Sequence, residues 1–220
     1  MGFDGLHPDA PAFFRELALN NTKAWWTENN ERYLAHVRGP FEQLAAQLEP
    51  EFGDVKIFRP YRDVRFSADK TPYKTHIGMV SRAPIAHYLQ LSESGLMLGG
   101  GVYDVPPAAL ARFREIVDHP RLMRELDGVL EQMDAAHLAP MSDDALRTAP
   151  RGYPIDHPRI DLLRLKHLAV GGRDEPADWM WTPDGFEIIS DTWRSVSIWC
   201  TWVAENLGDL VIRSQGSRSR

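Results

Sequence analysis

Ile77-Gly78-Met79-Val80-Ser81, His87-Tyr88-Leu89-Gln90-Leu91 and Leu96-Met97-Leu98-Gly99 are three short apolar-rich runs joined by polar or glycine-containing links. Such runs and links predict the strands of an antiparallel meander. Val55 to Phe58 predicts a further strand upstream, reached through a longer, charge-rich connection. Helical spacing surrounds this block. Before it, Phe13, Phe14 and Leu17 share one helical face, and Asn20-Asn21-Thr22 supplies a break and a new N-cap. Trp26, Tyr33, Val37, Phe41, Leu44 and Leu48 continue the pattern, with Gly39-Pro40 marking a kink or a boundary.

Helical patterns return after Pro106-Pro107. Asp118-His119-Pro120-Arg121 and Asp156-His157-Pro158-Arg159 open two of them with one capping solution, in which a polar residue caps free amides and proline fits the first turn. Near the C-terminus Phe186, Trp193, Cys200 and Leu207 recur every seven residues, interleaved with Ile189, Val196, Val203 and Leu210 and widened by Trp199 and Trp202. That is a broad core face rather than a coiled-coil seam. Trp25, Trp179 and Trp181 are expected in the core as well. The fold class is therefore α+β: an antiparallel β-meander with N-terminal and C-terminal helices packed on one face. Residues 1–213 are read as a single domain and 214–220 as a polar tail.

Hydrophobic residues make up 43% of the 220 and charged residues 25%, which excludes a disordered tail, a collagen-like fibre and a disulfide scaffold. Twenty-five Lys and Arg against 31 Asp and Glu give a net charge of -6, so general coating of nucleic acid or an anionic membrane is disfavoured. No apolar run approaches the ~20 residues of a bilayer span, and Met1-Gly2-Phe3-Asp4 does not open a secretory leader. The single Cys200 lies in an apolar stretch, as expected for a core residue of a cytoplasmic protein.

Chemistry-bearing motifs are few. The sequence has no GxxxxGK[ST] loop, HExxH or G-x-S-x-G, and its eight histidines lack zinc-ligand spacing, so neither a metal nor a cofactor is expected. Gly99-Gly100-Gly101 suits a phosphate cradle or a close backbone approach. Asp54-Val55-Lys56 matches only the end of a nuclease pattern.

One segment stands apart. From Arg59 to His76 five basic residues (Arg59, Arg62, Arg65, Lys70, Lys74) meet two acidic ones (Asp63, Asp69), a local +3 that leaves -9 on the remaining 202 residues. Guanidinium groups offer bidentate donors to phosphate or carboxylate, and lysines add point charges. Tyr61, Phe66 and Tyr73 interleave as stacking faces, Thr71-Pro72 imposes an extended turn, and Asp69 can fix it. In a strand Arg62, Val64 and Phe66 would share one face, and Asp63 and Arg65 the other. The segment reads as an anion pocket in which Arg62, Arg65, Lys70, Tyr73 and Lys74 bind, with Asp63 or His76 as acid/base candidates. Arg151-Gly152-Tyr153 with His157 and Lys166 forms a second cluster that would complete the pocket if the fold brings it near.

Arg62-Asp63-Val64-Arg65-Phe66-Ser67 and Asp69-Lys70-Thr71-Pro72-Tyr73-Lys74-Thr75-His76 closely resemble the signature of the domain-of-unknown-function family numbered 2461. Leu17 through Asn21 with Trp25-Trp26, Leu98 through Tyr103, and Pro150-Arg151-Gly152-Tyr153 with Asp156-His157-Pro158 are similar to the same family. The resemblance implies a shared fold, an intracellular setting and a set of matching positions. It carries no activity, substrate or cofactor with it.

The functional expectation is an intracellular protein with a pocket for a small phosphorylated or carboxylated ligand, in one form an enzyme acting on it. The alternative is a non-catalytic module binding protein or nucleic acid, with the Arg-Asp stretch serving as a structural salt-bridge network. Oligomeric state is left open by the sequence.

Overall fold

The strands form one six-stranded sheet in the order β1-β2-β3-β4-β6-β5, seen in a computed structural model. It describes residues 2–63, 65, 69–81 and 85–217, with side chains described through Val211. β1 (Val55–Ile57), β2 (His76–Ser81), β3 (Ala86–Ser92) and β4 (Gly95–Val102) are the four runs expected from sequence, each within a few residues of its anticipated bounds. β2 pairs antiparallel with β1 and with β3, in registers such as Lys56↔Val80 and Met79↔Leu89. β5 (Ala139–Pro140) and β6 (Leu168–Asp174), antiparallel to each other, were not anticipated. β5 is two residues long, and in β6 only Leu168-Ala169-Val170 is apolar before glycines and charges follow.

β3 alternates buried and half-buried positions, as a strand with one covered face does. β4 does not alternate, so it is covered on both sides rather than on one. Its glycine run explains how. A Cβ on Gly99 would lie 2.3 Å from the Val170 carbonyl oxygen, and one on Gly101, at φ +129, would lie 2.2 Å from that of Leu168. Gly99-Gly100-Gly101 is thus the interior of a strand approached closely by backbone, not a phosphate-cradling loop.

The chain divides into two compact units. The first comprises Met1–Ala83, Tyr88–Leu98 and Arg173–Asp191. In it α1 (Ala10–Leu19) buries Phe13, Phe14 and Leu17, and α2 (Lys23–Tyr33) starts at Thr22, whose Oγ1 accepts the Trp25 N–H at 3.3 Å. A π-helical turn, Leu34–Arg38, runs directly into α3 (Gly39–Phe52), which packs on β1 and β2. The Gly39 N–H bonds the Leu34 carbonyl and Pro40 has no N–H to offer, so the expected break at Gly39-Pro40 is absorbed as one wide turn.

The second unit comprises Pro84–His87, Gly99–Gly172 and Thr192–Arg220. Its core gathers residues of α4 (Pro107–Asp118), α5 (Pro120–Ala135), α6 (Ile160–Leu163) and β6 around Trp199, Trp202 and Val203. α7 (Gly185–Ser217) begins among residues of the first unit, where Ile189 is buried but Phe186 only half-buried, and in the second it buries Trp193, Val196, Cys200, Val203 and Leu207, as its spacing predicts. The stripe then departs from the seven-residue rule: Leu210 is 37% exposed and Val211 is buried. A straight helix drifts by roughly 20° per heptad, which moves the last core position on by one residue. Trp25, Trp179 and Trp181 are half-buried rather than in the core.

Candidate functional site

The connection between β1 and β2 is held by a few specific bonds. Tyr61 and Tyr73 form an isolated antiparallel bridge, the Arg62 N–H donates to the Pro72 carbonyl at 2.9 Å, and the Lys74 N–H donates to that of Pro60 at 2.8 Å. Asp69 fixes the turn between these arms by accepting the Thr71 N–H at 2.9 Å and its hydroxyl at 2.8 Å. Those bonds, with the Arg62 guanidinium, hold its carboxyl below the usual range. Val64, Phe66 and Ser67 lie outside the described residues, so the facing expected of Val64 and Phe66 does too.

Tyr73 anchors the loop from below. Its ring is 4% exposed and stacks on Trp26 at 4.2 Å and 8°. Its backbone is gripped by the Asn21 side chain, which donates Nδ2–H to the Tyr73 carbonyl at 2.9 Å and accepts the Tyr73 N–H at 3.1 Å. The sequence places Asn21 in a helix break and in a stretch that resembles the family, with no role for its side chain. That it is followed by Trp25-Trp26 was the available hint.

The two arms frame a pocket of about 320 Å³ lined by Arg62, Asp63, Lys74, Thr75 and His76. Arg62 gives Nη1–H to Asp69 and, at 2.7 Å, to the Thr71 hydroxyl; among the described residues its Nε–H and Nη2–H are not used. The Lys74 ammonium lies 5.2 Å from the centre of the Phe58 ring, and burial and Arg59 hold its pKa below the ordinary lysine value. The His76 ring makes no hydrogen bond among the described residues; burial first, then Lys74 and Arg62, push it below the usual imidazole value. Asp63 is kept ionised by Arg65, which pairs with it through Nε at 2.9 Å and Nη2 at 2.7 Å.

Arg65 is the residue that departs most from convergence: its side chain is 77% exposed and already engaged by a carboxylate two positions away. Lys70 is exposed on the turn, and Tyr73 faces Trp26. Of the expected residues, Arg62, Asp63, Lys74 and His76 thus share one lining. Thr75 joins them without having been singled out.

The model of the family described as conserved hypothetical protein (DUF2461) matches residues 9–202. This chain belongs to that family. Neither a curated protein nor a solved structure matches it.

In this DUF2461 protein the second cluster lies in the second unit. Arg151 is exposed beside Gly152, which turns at φ +94. The His157 ring is nearly buried, accepting the Arg159 N–H at Nδ1 (3.1 Å) and facing Asp118 at 3.2 Å. Those bonds shape the entry to α6.

Two other histidine clusters also have structural accounts. His7, Asp9 and His36 lie close enough to share an ion, yet the imidazoles stack in parallel at 3.8 Å and 2°. A ligating nitrogen points along its ring plane, and two parallel planes cannot both contain one ion. Arg32 moreover occupies both Asp9 oxygens at 2.7 Å and drives that carboxyl down to about 2. In the second unit, Ser197 donates its hydroxyl to the Trp193 carbonyl at 3.0 Å, so His87 at 2.8 Å is its donor rather than its base. That is not an activated nucleophile.

Proposed function

We propose that this protein binds a small oxyanion-bearing ligand, phosphate or carboxylate, in the pocket of Arg62, Lys74 and His76. The observation that carries the reading is that Arg62, Lys74 and His76 share one lining with a single carboxylate, Asp63, which Arg65 already engages. Lys74 and His76 are lowered chiefly by burial and further by neighbouring cations, Arg59 for the first and Lys74 and Arg62 for the second, which is consistent with net positive charge around the pocket. Arg62 supplies planar donors, Lys74 a point charge, and the Thr75–His76 segment a wall with an imidazole ready to donate or accept. If the site performs chemistry on its ligand, His76, held toward its neutral form, is the proton acceptor, while Asp63 stays an ionised hydrogen-bond acceptor.

A second reading draws on Arg62–Asp69 and Arg65–Asp63: that half of the loop braces the fold. Both readings hold if the brace presents the pocket. The reading places the protein in the cytoplasm, which its lone, buried Cys200, with a thiol pushed up to about 12 by burial, supports. No helix among the described residues is long and apolar enough to cross a membrane.

Titration with sulfate at low ionic strength, followed by calorimetry, tests the proposal. Binding should weaken at least tenfold in Lys74→Met, while Arg65→Ala leaves it within twofold. Absence of sulfate and phosphate binding to the wild type, or indifference to Lys74→Met, defeats it. A complex with DNA whose affinity falls steeply with salt would favour the nucleic-acid alternative instead.

A further inference from the structure

Thr75 and His76 have a second side. The same two residues line another hollow of about 340 Å³ together with Phe14, Gln90, Ser92, Glu93 and Arg173. All of them belong to the first compact unit, so both hollows are features of one body. Each sits at the lower end of the ~300–1,000 Å³ typical of small-molecule sites, and a lone oxyanion of a few atoms would leave most of either unfilled.

The chemistry of the two sides differs. The first presents Arg62 and Lys74; the second presents neutral amide and hydroxyl groups with one carboxylate and one guanidinium. Tyr88 donates its hydroxyl to Gln90 Oε1 at 2.7 Å, which fixes the amide and makes its Nε2–H₂ the end that can donate outward. The Ser92 hydroxyl is held by that of Ser94 at 3.0 Å, and Glu93 is an exposed acceptor beside them. An amide donor (Gln90), serine hydroxyls and a carboxylate acceptor (Glu93) in one lining match a chain of sugar hydroxyls, each of which donates and accepts. The buried Phe14 in the same lining gives the carbon face of such a ligand an apolar contact.

We propose that the ligand is a phosphorylated sugar or polyol lying across Thr75 and His76, its phosphate at Arg62 and Lys74 and its hydroxyls along Gln90, Ser92 and Glu93. This rests on the anion reading and names its substrate class. His76, at the divide, is the group that meets the ester oxygen joining the two parts.

Calorimetric titrations with inorganic phosphate, ribose 5-phosphate and ribose separate the two claims. Ribose 5-phosphate should bind at least tenfold tighter than phosphate. Gln90→Leu and Ser92→Val should reduce that ratio toward one while phosphate affinity stays within twofold, and Glu93→Ala, in an exposed turn, gives the same reading if Ser92→Val fails to fold. Equal affinities for phosphate and ribose 5-phosphate, or a ratio that survives all three substitutions, overturn the sugar assignment and leave the anion site standing. If neither anion binds, the anion reading itself falls, and this one with it.

Discussion

His76 carries the most information of any single residue here. Burial and two neighbouring cations disfavour its protonated form, so an anion that neutralises Lys74 and Arg62 must raise its proton affinity. Binding and protonation are then linked, and the sign is fixed: the occupied pocket takes up a proton. Sulfate, whose own charge does not change across neutral pH, should bind more tightly as pH falls from 8 to 6, and His76→Asn should flatten that dependence. A pH-independent wild-type affinity would refute the linkage. Asn21 makes a different point. One amide satisfies both backbone groups of Tyr73 across 52 residues of sequence, so Asn21→Ala should cost about 1–3 kcal/mol in urea unfolding. The basic residues of the loop were readable because charge segregation is a property of composition. Asn21 was not, because a side chain that imitates a strand partner leaves no period or spacing in the sequence.

At the scale of elements, local rules were reliable where one residue decides and weaker where neighbours do. The His-Pro openings are the clearest case. His119 is the N-cap of α5 and accepts the Arg121 N–H at Nδ1, so there the imidazole, not the preceding aspartate, is the cap. His157 accepts the Arg159 N–H in the same way, but in the turn before α6, whose N-cap is Arg159, so the second motif does not open the helix directly. His7-Pro8-Asp9 repeats the bond, Asp9 N–H to His7 Nδ1 at 3.1 Å, directly ahead of α1. His119→Ala should lower stability by about 1 kcal/mol, the usual worth of an N-cap, whereas Asp118→Ala should cost less. Equal costs in chemical denaturation would restore the aspartate as the cap. The helix–strand–helix order followed from periodicity. β5 and β6 did not, since one is two residues long and the other gains its partners only through the tertiary approach of β4.

Across the whole molecule, acid should act in two windows with different owners. His87 is 6% exposed, and burial, partly offset by a hydrogen bond to Trp193, lowers it to about 4. His7 and His76 are lowered too, burial being the largest cause in each. A group with a lowered imidazole pKa binds more protons when unfolded, so its contribution is complete above ~6.5 and drains away as pH falls toward its folded value. For His87 that window closes near 4, and the shift corresponds to about 3 kcal/mol at most. Asp9 behaves oppositely in position though not in direction. Its carboxyl, brought down to about 2 chiefly by Arg32, stabilises the fold above the ordinary aspartate value and loses that contribution only below it. Urea midpoints measured against pH should therefore decline first between ~6.5 and 4 and again below 4. His87→Gln should flatten the first decline while sparing the second, and Arg32→Met should do the reverse. A first decline that His87→Gln leaves unaltered would mean that the buried imidazole is not the acid-sensitive element, and that His7 and His76 account for the slope.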